Sequence, residues 1–273
     1  MRRPTVTASL LLCALLAALS CSVKEDRTGC PSWVTVNVDR FISMGYSEAL
    51  FSLSSSAGLV ARSTEQILPL AGTGYVQEVP RGKTRVAVVA GIERSFLKGD
   101  TLLVRKGCTA DPLMISSREC YPLVDEYLLV AEPHKQYCRL EFSFPTLPEG
   151  TGYPFRFRIR TLWNGVNIYT LAPVQGEYEA TVGPNHVGQF ITFLPRQGEG
   201  TMLLDIYEPY SDTEEDGELQ ATLDLGALLE KAGYDWSRED LDDAVLTVDF
   251  SRADIEVRVV EWERDDTYSE VVI

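Results

Sequence analysis

The sequence is poor in histidine and short of positive charge. Its only two histidines are His134 and His186, and 25 Lys and Arg residues stand against 40 Asp and Glu residues, which gives a formal net charge of −15. Proteins that bind nucleic acid gain much of their affinity from cationic contacts with phosphates, so this balance argues against a nucleic-acid partner. The acidity suits a surface protein whose copies repel one another. We expect both histidines to lie in loops or at the surface.

The short motifs that carry catalysis are also missing. The sequence has no His-Glu-x-x-His pattern, Walker loop, dinucleotide-binding glycine fingerprint or Gly-x-Ser-x-Gly elbow. Residues 212–217 resemble the start of a calcium loop, but the twelfth place holds Leu223, where such a loop needs a bidentate acid. An acidic hairpin tip is the better interpretation. We therefore predict a protein that is not an enzyme and that has no metal site and no cofactor.

Long apolar runs are absent except at the start of the chain. A basic Met1-Arg2-Arg3 precedes an apolar run over residues 10–19. This run is shorter than the about 20 residues that span a bilayer, and its flanks are typical of a secretory signal. It ends at Ser20-Cys21 and resembles a bacterial lipobox, in which the Cys thiol is acylated and becomes the mature N-terminus. We predict a signal peptide over residues 1–20 and a lipid on Cys21 that holds the protein in the outer membrane. The alternative is an ordinary cleaved signal with a chance cysteine.

Charged residues follow Cys21 directly. Lys24, Glu25 and Asp26 resemble the surface-export signal of lipoproteins in one group of Gram-negative anaerobes. The alternative is a plain solvated tether, in which charged residues are expected anyway. We predict that residues 21–32 form a lipidated tether and that the protein is exposed at the cell surface.

Four cysteines remain besides Cys13 and Cys21. They are Cys30, Cys108, Cys120 and Cys138. An even number in an exported protein suggests disulfides, and four cysteines allow three pairings. Cys108 and Cys120 are close in sequence and could clip one loop, whereas the alternative is four unpaired buried thiols.

The rest of the chain reads mainly as short strands. Val34, Val36 and Val38 fall on one face at the strand period of two. Residues 138–144 and 155–160 alternate in the same way, and Asn164-Gly165 predicts a hairpin turn before residues 166–171. Many short strands separated by turns are typical of β-sandwiches. We predict one sandwich over residues 33–135 and a second over residues 136–273.

One short helix is expected within this all-β fold. Asp224 suits the N-cap, residues 225–232 are compatible with a helix, and Gly233 suits the position after its end.

Four stretches, taken in order, resemble a known family. Residues 21–31 resemble the mature N-terminus of the minor fimbrial anchoring subunits of type V pili, which are fimbrillin-type lipoproteins. Three further stretches are similar to later landmarks of that family: Val79-Pro80-Arg81-Gly82-Lys83-Thr84, Ala110-Asp111-Pro112-Leu113-Met114 and Val257-Arg258-Val259-Val260-Glu261-Trp262. The chain departs from the family where many relatives carry an Arg at the start of the second domain, since it offers Lys135 or Arg139 there.

The resemblance implies two tandem transthyretin-like β-sandwiches and a role at the base of a fimbria. In this family a strand from one subunit completes the open sheet edge of the next. It implies that an anchoring subunit keeps its own first strand, here residues 33–39, and so ends the fibre at the membrane. Its tail, residues 255–273, would be given to a fimbrial stalk subunit. The alternative is that residues 255–262 simply close the second sandwich, and both can hold if only the last residues are donated.

Two other functions remain open. A surface glycan-binding lipoprotein of a nutrient-uptake system would need a flat exposed aromatic cluster around Trp163 and Tyr169, although their alternation favours core packing. An envelope hydrolase would need a histidine beside an acid and a nucleophile in a cleft.

Overall fold

The computed structural model is dominated by β-strands. It describes residues 29–144, 155–185, 188–207, 217–249 and 254–262. Within these ranges the predicted all-β class and its β-sandwich architecture are confirmed. The predicted signal peptide, Cys21, Lys24, Glu25 and Asp26 lie outside the described residues, as do His186 and nearly all of the acidic stretch 212–217.

The first sandwich is built from two sheets. The smaller has the order β4-β1-β9, with β1 (Ser32–Asn37), β4 (Tyr75–Val79) and β9 (Glu126–Val130). The larger has the order β10-β8-β5-β2-β3, with β2 (Glu48–Ser55), β3 (Gly58–Gln66), β5 (Thr84–Ala90), β8 (Met114–Cys120) and β10 (His134–Lys135).

The core of the first sandwich follows from the predicted alternation. Val34 and Val36 of β1 are fully buried against Phe51 and Leu53 of the facing sheet. A helix that the sequence did not predict, α1 (Asp39–Ser43), follows β1 and buries Phe41. It is too short to leave a periodic apolar pattern in the sequence. A 3-10 turn, Leu68–Leu70, follows β3.

The second sandwich also has two sheets. One has the order β14-β11-β17-β18, with β11 (Tyr137–Ser143), β14 (Phe190–Pro195), β17 (Asp243–Asp249) and β18 (Asp254–Val260). The other has the order β16-β15-β12-β7-β6, with β6 (Phe96–Lys98), β7 (Thr101–Leu103), β12 (Arg156–Asn167), β15 (Met202–Tyr207) and β16 (Leu219–Asp224). An additional strand, β13 (Pro173–Val182), pairs with β12.

Aromatic side chains fill the second core. The rings of Phe142 and Phe157 lie 4.8 Å apart, and that of Phe190 meets Phe157 edge-on at 5.9 Å. Each such buried side chain contributes about 1.5–3 kcal/mol relative to exposure. The predicted helix is confirmed as α2 (Leu225–Lys231). Asp224 caps it as predicted, since its carboxylate accepts a hydrogen bond from the N–H of Ala227 at 2.9 Å.

The predicted hairpin turn at Asn164-Gly165 is wrong. β12 continues through this dipeptide, with register shifts between Thr161 and Trp163 and between Trp163 and Gly165. A Cβ on Gly165 would lie 2.4 Å from the carbonyl oxygen of Leu102. Glycine is therefore used here for the close approach of β7 rather than for a turn.

The segment between β5 and β8 crosses from one sandwich to the other. β7 pairs antiparallel with β12, and Val104 and Ala110 belong to the second core. A separate apolar cluster, which includes Val89 and Val166, joins the two sandwiches. This segment lies within residues 33–135, which the sequence assigns to the first sandwich, although it packs on the second. The division between residues 135 and 136 stays a prediction.

Candidate functional site

The first strand occupies the centre of its sheet. β1 pairs antiparallel with β4, where Val34 lies opposite Gln77, and parallel with β9, where Val34 lies opposite Tyr127. Both hydrogen-bonding edges of β1 are thus used within the chain. This is the arrangement that the family resemblance implies for a subunit that keeps its own first strand.

Arg81 fixes the point at which the chain enters β1. Its Nε donates a hydrogen bond to the carbonyl oxygen of Cys30 at 3.0 Å, and its Nη atoms contact the carbonyl oxygen of Leu123 and the carboxylate of Asp125. The N–H of Trp33 donates to the carbonyl oxygen of Asp125 at 2.8 Å. The end of the predicted tether is therefore held by the turn after β4 and the loop before β9.

A buried lysine lies where the two sandwiches meet. Lys135 of β10 is 1% exposed, and its Nζ lies 2.6 Å from Asp243 Oδ1 and donates to the carbonyl oxygen of Leu241 at 2.9 Å. The same ammonium group lies 4.5 Å from the ring centroid of Tyr137 and 5.9 Å from that of Trp262. The charge of Lys135, one of the two residues that the chain offers where the family pattern has an Arg, is thus paired across the junction.

His134 is not the loop or surface residue that we expected. It lies in β10 and is buried, with Nδ1 at 3.2 Å from Asp240 and Nε2 at 2.9 Å from Glu239. The backbone N–H of Lys135 also donates to Asp240 at 2.7 Å. These contacts join β10, which lies between the two sandwiches in the sequence, to the loop before β17.

A carboxylate holds the crossing segment. Asp111 is 1% exposed and accepts hydrogen bonds from the backbone N–H groups of Glu93, Arg94 and Ser95 at 2.7–3.0 Å. It belongs to the third landmark stretch of the sequence, whose physical role is thus to fix where the chain leaves the first sandwich.

The last described strand closes the second sandwich. β18 is an edge strand that pairs antiparallel with β17, and Ile255, Val257 and Val259 pack against the second core. Trp262 instead packs against the first core, and its backbone N–H donates to the carboxylate of Asp242 at 3.1 Å. Of the two interpretations of the tail, the closing strand is confirmed for residues 254–260. Residues 263–273 lie outside the described residues.

The predicted disulfide between Cys108 and Cys120 is not formed. In the described part of the chain, all four cysteines are free thiols. Cys108 packs against the second core and Cys120 belongs to the first, so the two side chains are separated by the fold. Four unpaired buried thiols were the alternative, and of the four only Cys120 and Cys138 are buried, since Cys30 is exposed and Cys108 is partly exposed. Burial raises the pKa of the Cys138 thiol to about 12, so that it stays protonated at neutral pH.

Trp163 and Tyr169 do not share a flat exposed surface. The hydroxyl of Tyr169 is buried 2.8 Å from Ser52 Oγ. The indole of Trp163 lies over Gly198, and its N–H donates to the carbonyl oxygen of Glu199 at 2.9 Å. Both side chains are used in packing, so this pair does not form a sugar platform.

Among the residues that the structure describes, no group of three or more His, Cys, Asp and Glu side chains is placed to hold a metal ion. No helix among those residues has the length and apolarity needed to cross a bilayer.

Comparison with known proteins gives a likeness in structure rather than in sequence. No family model and no curated protein matches the chain. A candidate adhesin from Bacteroides ovatus is similar with a TM-score of 0.57 and 14% identity, covering 90% of this chain and 98% of the other. A candidate polysaccharide-binding protein from Bacteroides thetaiotaomicron has a TM-score of 0.56 and 10% identity, with 88% and 100% covered. The fimbrial anchor protein Mfa2 from Porphyromonas gingivalis has a TM-score of 0.55 and 13% identity, with 85% and 98% covered.

The chain has the fold of fimbrial anchor and adhesin proteins. At identities this low, the likeness extends to the fold and no further. The four landmark stretches predicted this fold from the sequence. The individual parts played by Arg81, Asp111 and Lys135 were missed, because each depends on contacts with distant parts of the chain.

Proposed function

We propose that this chain is a non-catalytic lipoprotein of the outer membrane that anchors a fimbria at the cell surface. The observation that carries the proposal is the position of β1, which is paired on both sides and follows directly after the predicted lipidated tether. A subunit whose groove is filled by its own first strand accepts no strand from a neighbour there. The fibre would therefore end at this subunit, and Cys21 would join it to the membrane. The fold shared with the anchor protein Mfa2 supports the same role.

The partner we propose is a fimbrial stalk subunit, reached by strand complementation. An added strand gains affinity from main-chain hydrogen bonds and specificity from alternate side chains. The tail continues from Trp262 at the junction through a charged stretch to the apolar Val271-Val272-Ile273. We propose that this apolar end enters the stalk subunit. We further propose that Lys24, Glu25 and Asp26 direct export to the surface.

Replacing Cys21 by alanine tests the anchor. The mature protein should move from the outer-membrane fraction to the medium, because no acyl chains remain to hold it, and fimbriae should be shed with it. Immunoblots of cell fractions and counts of cell-bound and free fimbriae measure the two effects. Cys30→Ala is the matched control, since this exposed thiol should not be acylated and its loss should leave both attached.

The two parts of the proposal can fail separately. An unchanged membrane fraction for Cys21→Ala, together with no acyl label on the wild type, would refute the lipid anchor. Release of the protein while fimbriae stay on the cell would support the lipid anchor and refute the fimbrial role.

Deleting residues 268–273 tests the donated tail. The deletion lies beyond β18 and Trp262, so the protein should stay folded and lipidated while fimbriae detach into the medium. Electron microscopy of cells and culture medium gives the readout. Val271→Ile retains an apolar β-branched side chain and should keep fimbriae attached. Cell-bound fimbriae of normal length on the deletion strain would show that the tail is not the donor.

A further inference from the structure

At one end of the first sandwich, three loops surround the point where the predicted tether leads into β1. Ser32 pairs with Val79, Ser55 pairs with Thr84, and Thr84 pairs in turn with Cys120. The β2–β3 hairpin, the turn over residues 80–83 and the loop over residues 121–125 therefore lie side by side at the point where the chain enters β1. We call this group of loops the tether end.

Large apolar side chains stand in solvent at the tether end. Leu123 is 65% exposed, Val124 58% and Tyr121 54%, and Leu59 at the start of β3 is 58% exposed. Exposed apolar side chains that are gathered in one place mark an interaction surface, whereas scattered ones are normal. Three such residues on one loop, with Leu59 beside the neighbouring hairpin, point to a surface that is covered in the cell.

The loop that carries these side chains is held in place. Arg81 contacts the carbonyl oxygen of Leu123 and the carboxylate of Asp125, and the N–H of Gly82 donates to the carbonyl oxygen of Pro122 at 3.4 Å. Its apolar side chains are thus presented by a fixed backbone, so little ordering is needed when they bind.

Two ion pairs lie at the tether end. Lys83 Nζ lies 2.5 Å from Glu119, and Arg81 forms an ion pair with Asp125. The chain as a whole carries a net charge of −15. Pairing at this end limits the repulsion that an acidic protein meets at an anionic lipid surface.

The tether is too short to let this end move far from the membrane. Eight residues separate Cys21 from Cys30. An extended chain covers at most about 3.3–3.6 Å per residue, so the tether end must lie within roughly 30 Å of the acylated residue. Given the proposed lipid on Cys21, on which this inference rests, the surface nearest to these apolar side chains is the bilayer itself.

We propose that the tether end is a membrane-contact surface, on which Leu123, Val124 and Tyr121 dip into the leaflet that holds the acyl chains of Cys21. Aromatic and aliphatic side chains at the headgroup boundary add affinity to a lipid anchor, because stable attachment takes more than one signal. The contact would fix the orientation of the first sandwich, so that the fibre leaves the surface at a defined angle.

The test uses the mature chain, residues 22–273, with an N-terminal histidine tag in place of the lipid. The tag attaches the protein to phosphatidylethanolamine vesicles that contain a minor fraction of nickel-chelating lipid. In a Cys30→Ser background, Leu123→Cys and Tyr121→Cys are each labelled with an environment-sensitive fluorophore. Leu68→Cys is the matched control, because Leu68 is 58% exposed and lies beyond the opposite end of β3. The Cys30→Ser protein alone measures background labelling.

Emission from both tether-end positions should rise about twofold and shift to shorter wavelength on vesicle binding, and lipid-borne nitroxides should quench it. The label at residue 68 should change little. Equal responses at all three positions, or no response at residues 121 and 123, would overturn the membrane contact. Because the tag replaces the lipid, this outcome is independent of whether Cys21 is acylated, which the Cys21→Ala fractionation decides.

Discussion

Replacing Lys135 by methionine is expected to lower the free energy of unfolding by about 3–5 kcal/mol, the cost of breaking a buried ion pair from one side. Methionine keeps most of the apolar stem, so the loss comes mainly from Asp243, whose carboxylate would lose the ammonium group at 2.6 Å. The N–H of Arg139 still donates to this carboxylate at 2.8 Å, which favours the lower end of the range. Urea denaturation followed by tryptophan fluorescence measures the change.

Lys83→Met is the matched control for the buried pair. Lys83 forms an ion pair with Glu119 at 2.5 Å, but its side chain is 51% exposed. Exposed pairs contribute little to stability because water and salt screen them, so the same substitution should have a small effect there. The double variant Lys135→Met with Asp243→Asn should recover part of the loss, because it removes the unpaired charge. Equal losses for Lys135→Met and Lys83→Met would show that the junction does not depend on the buried pair.

The strands of the two sandwiches could be predicted because their signal is local. Alternation in β11 and β12 predicts which side chains enter the second core, and Asp224 with Gly233 predicts both ends of α2. These features depend on neighbours a few residues away, which a single sequence displays directly.

The junction and the crossing segment could not be predicted in the same way. Lys135 reads as part of a polar linker, yet it is buried because Asp243 reaches it from 108 residues later in the chain. Gly165 reads as a turn residue, yet it lies within a strand because β7 approaches from the first half of the sequence. Each outcome was decided by a distant partner, so the local pattern favoured the wrong interpretation or none.

Cys21, Lys24, Glu25 and Asp26 remain sequence predictions. The structure shows where this segment joins the fold, at Cys30, whose carbonyl oxygen accepts a hydrogen bond from the guanidinium group of Arg81. A pull on the tether would act first on this contact and then along β1, which is hydrogen-bonded to a strand on each side. This geometry suits a subunit that carries load between a membrane and a fibre.

Replacing Asp111 by alanine should lower the free energy of unfolding by about 2–3 kcal/mol. Three backbone N–H groups, of Glu93, Arg94 and Ser95, would lose their acceptor. The buried donor of Ser95 would be left unsatisfied, which costs about 1–3 kcal/mol, whereas the less buried donors of Glu93 and Arg94 should cost less because water can reach them. The crossing segment would lose its fixed start, so β6 and β7 should detach more readily from β12.

Urea denaturation gives the loss of stability for Asp111→Ala, and limited trypsin digestion reports whether cleavage after Arg94 and Lys98 becomes faster. Asp111→Asn keeps one carbonyl oxygen as an acceptor and should lose less. Asp100→Ala is the matched control in the same segment, because Asp100 is 42% exposed and its ion pair with Arg62 should contribute about 1 kcal/mol or less. If Asp111→Ala costs no more than Asp100→Ala and trypsin cleavage stays slow, the segment is held by the pairing of β7 with β12 and by apolar packing, and the buried carboxylate is dispensable.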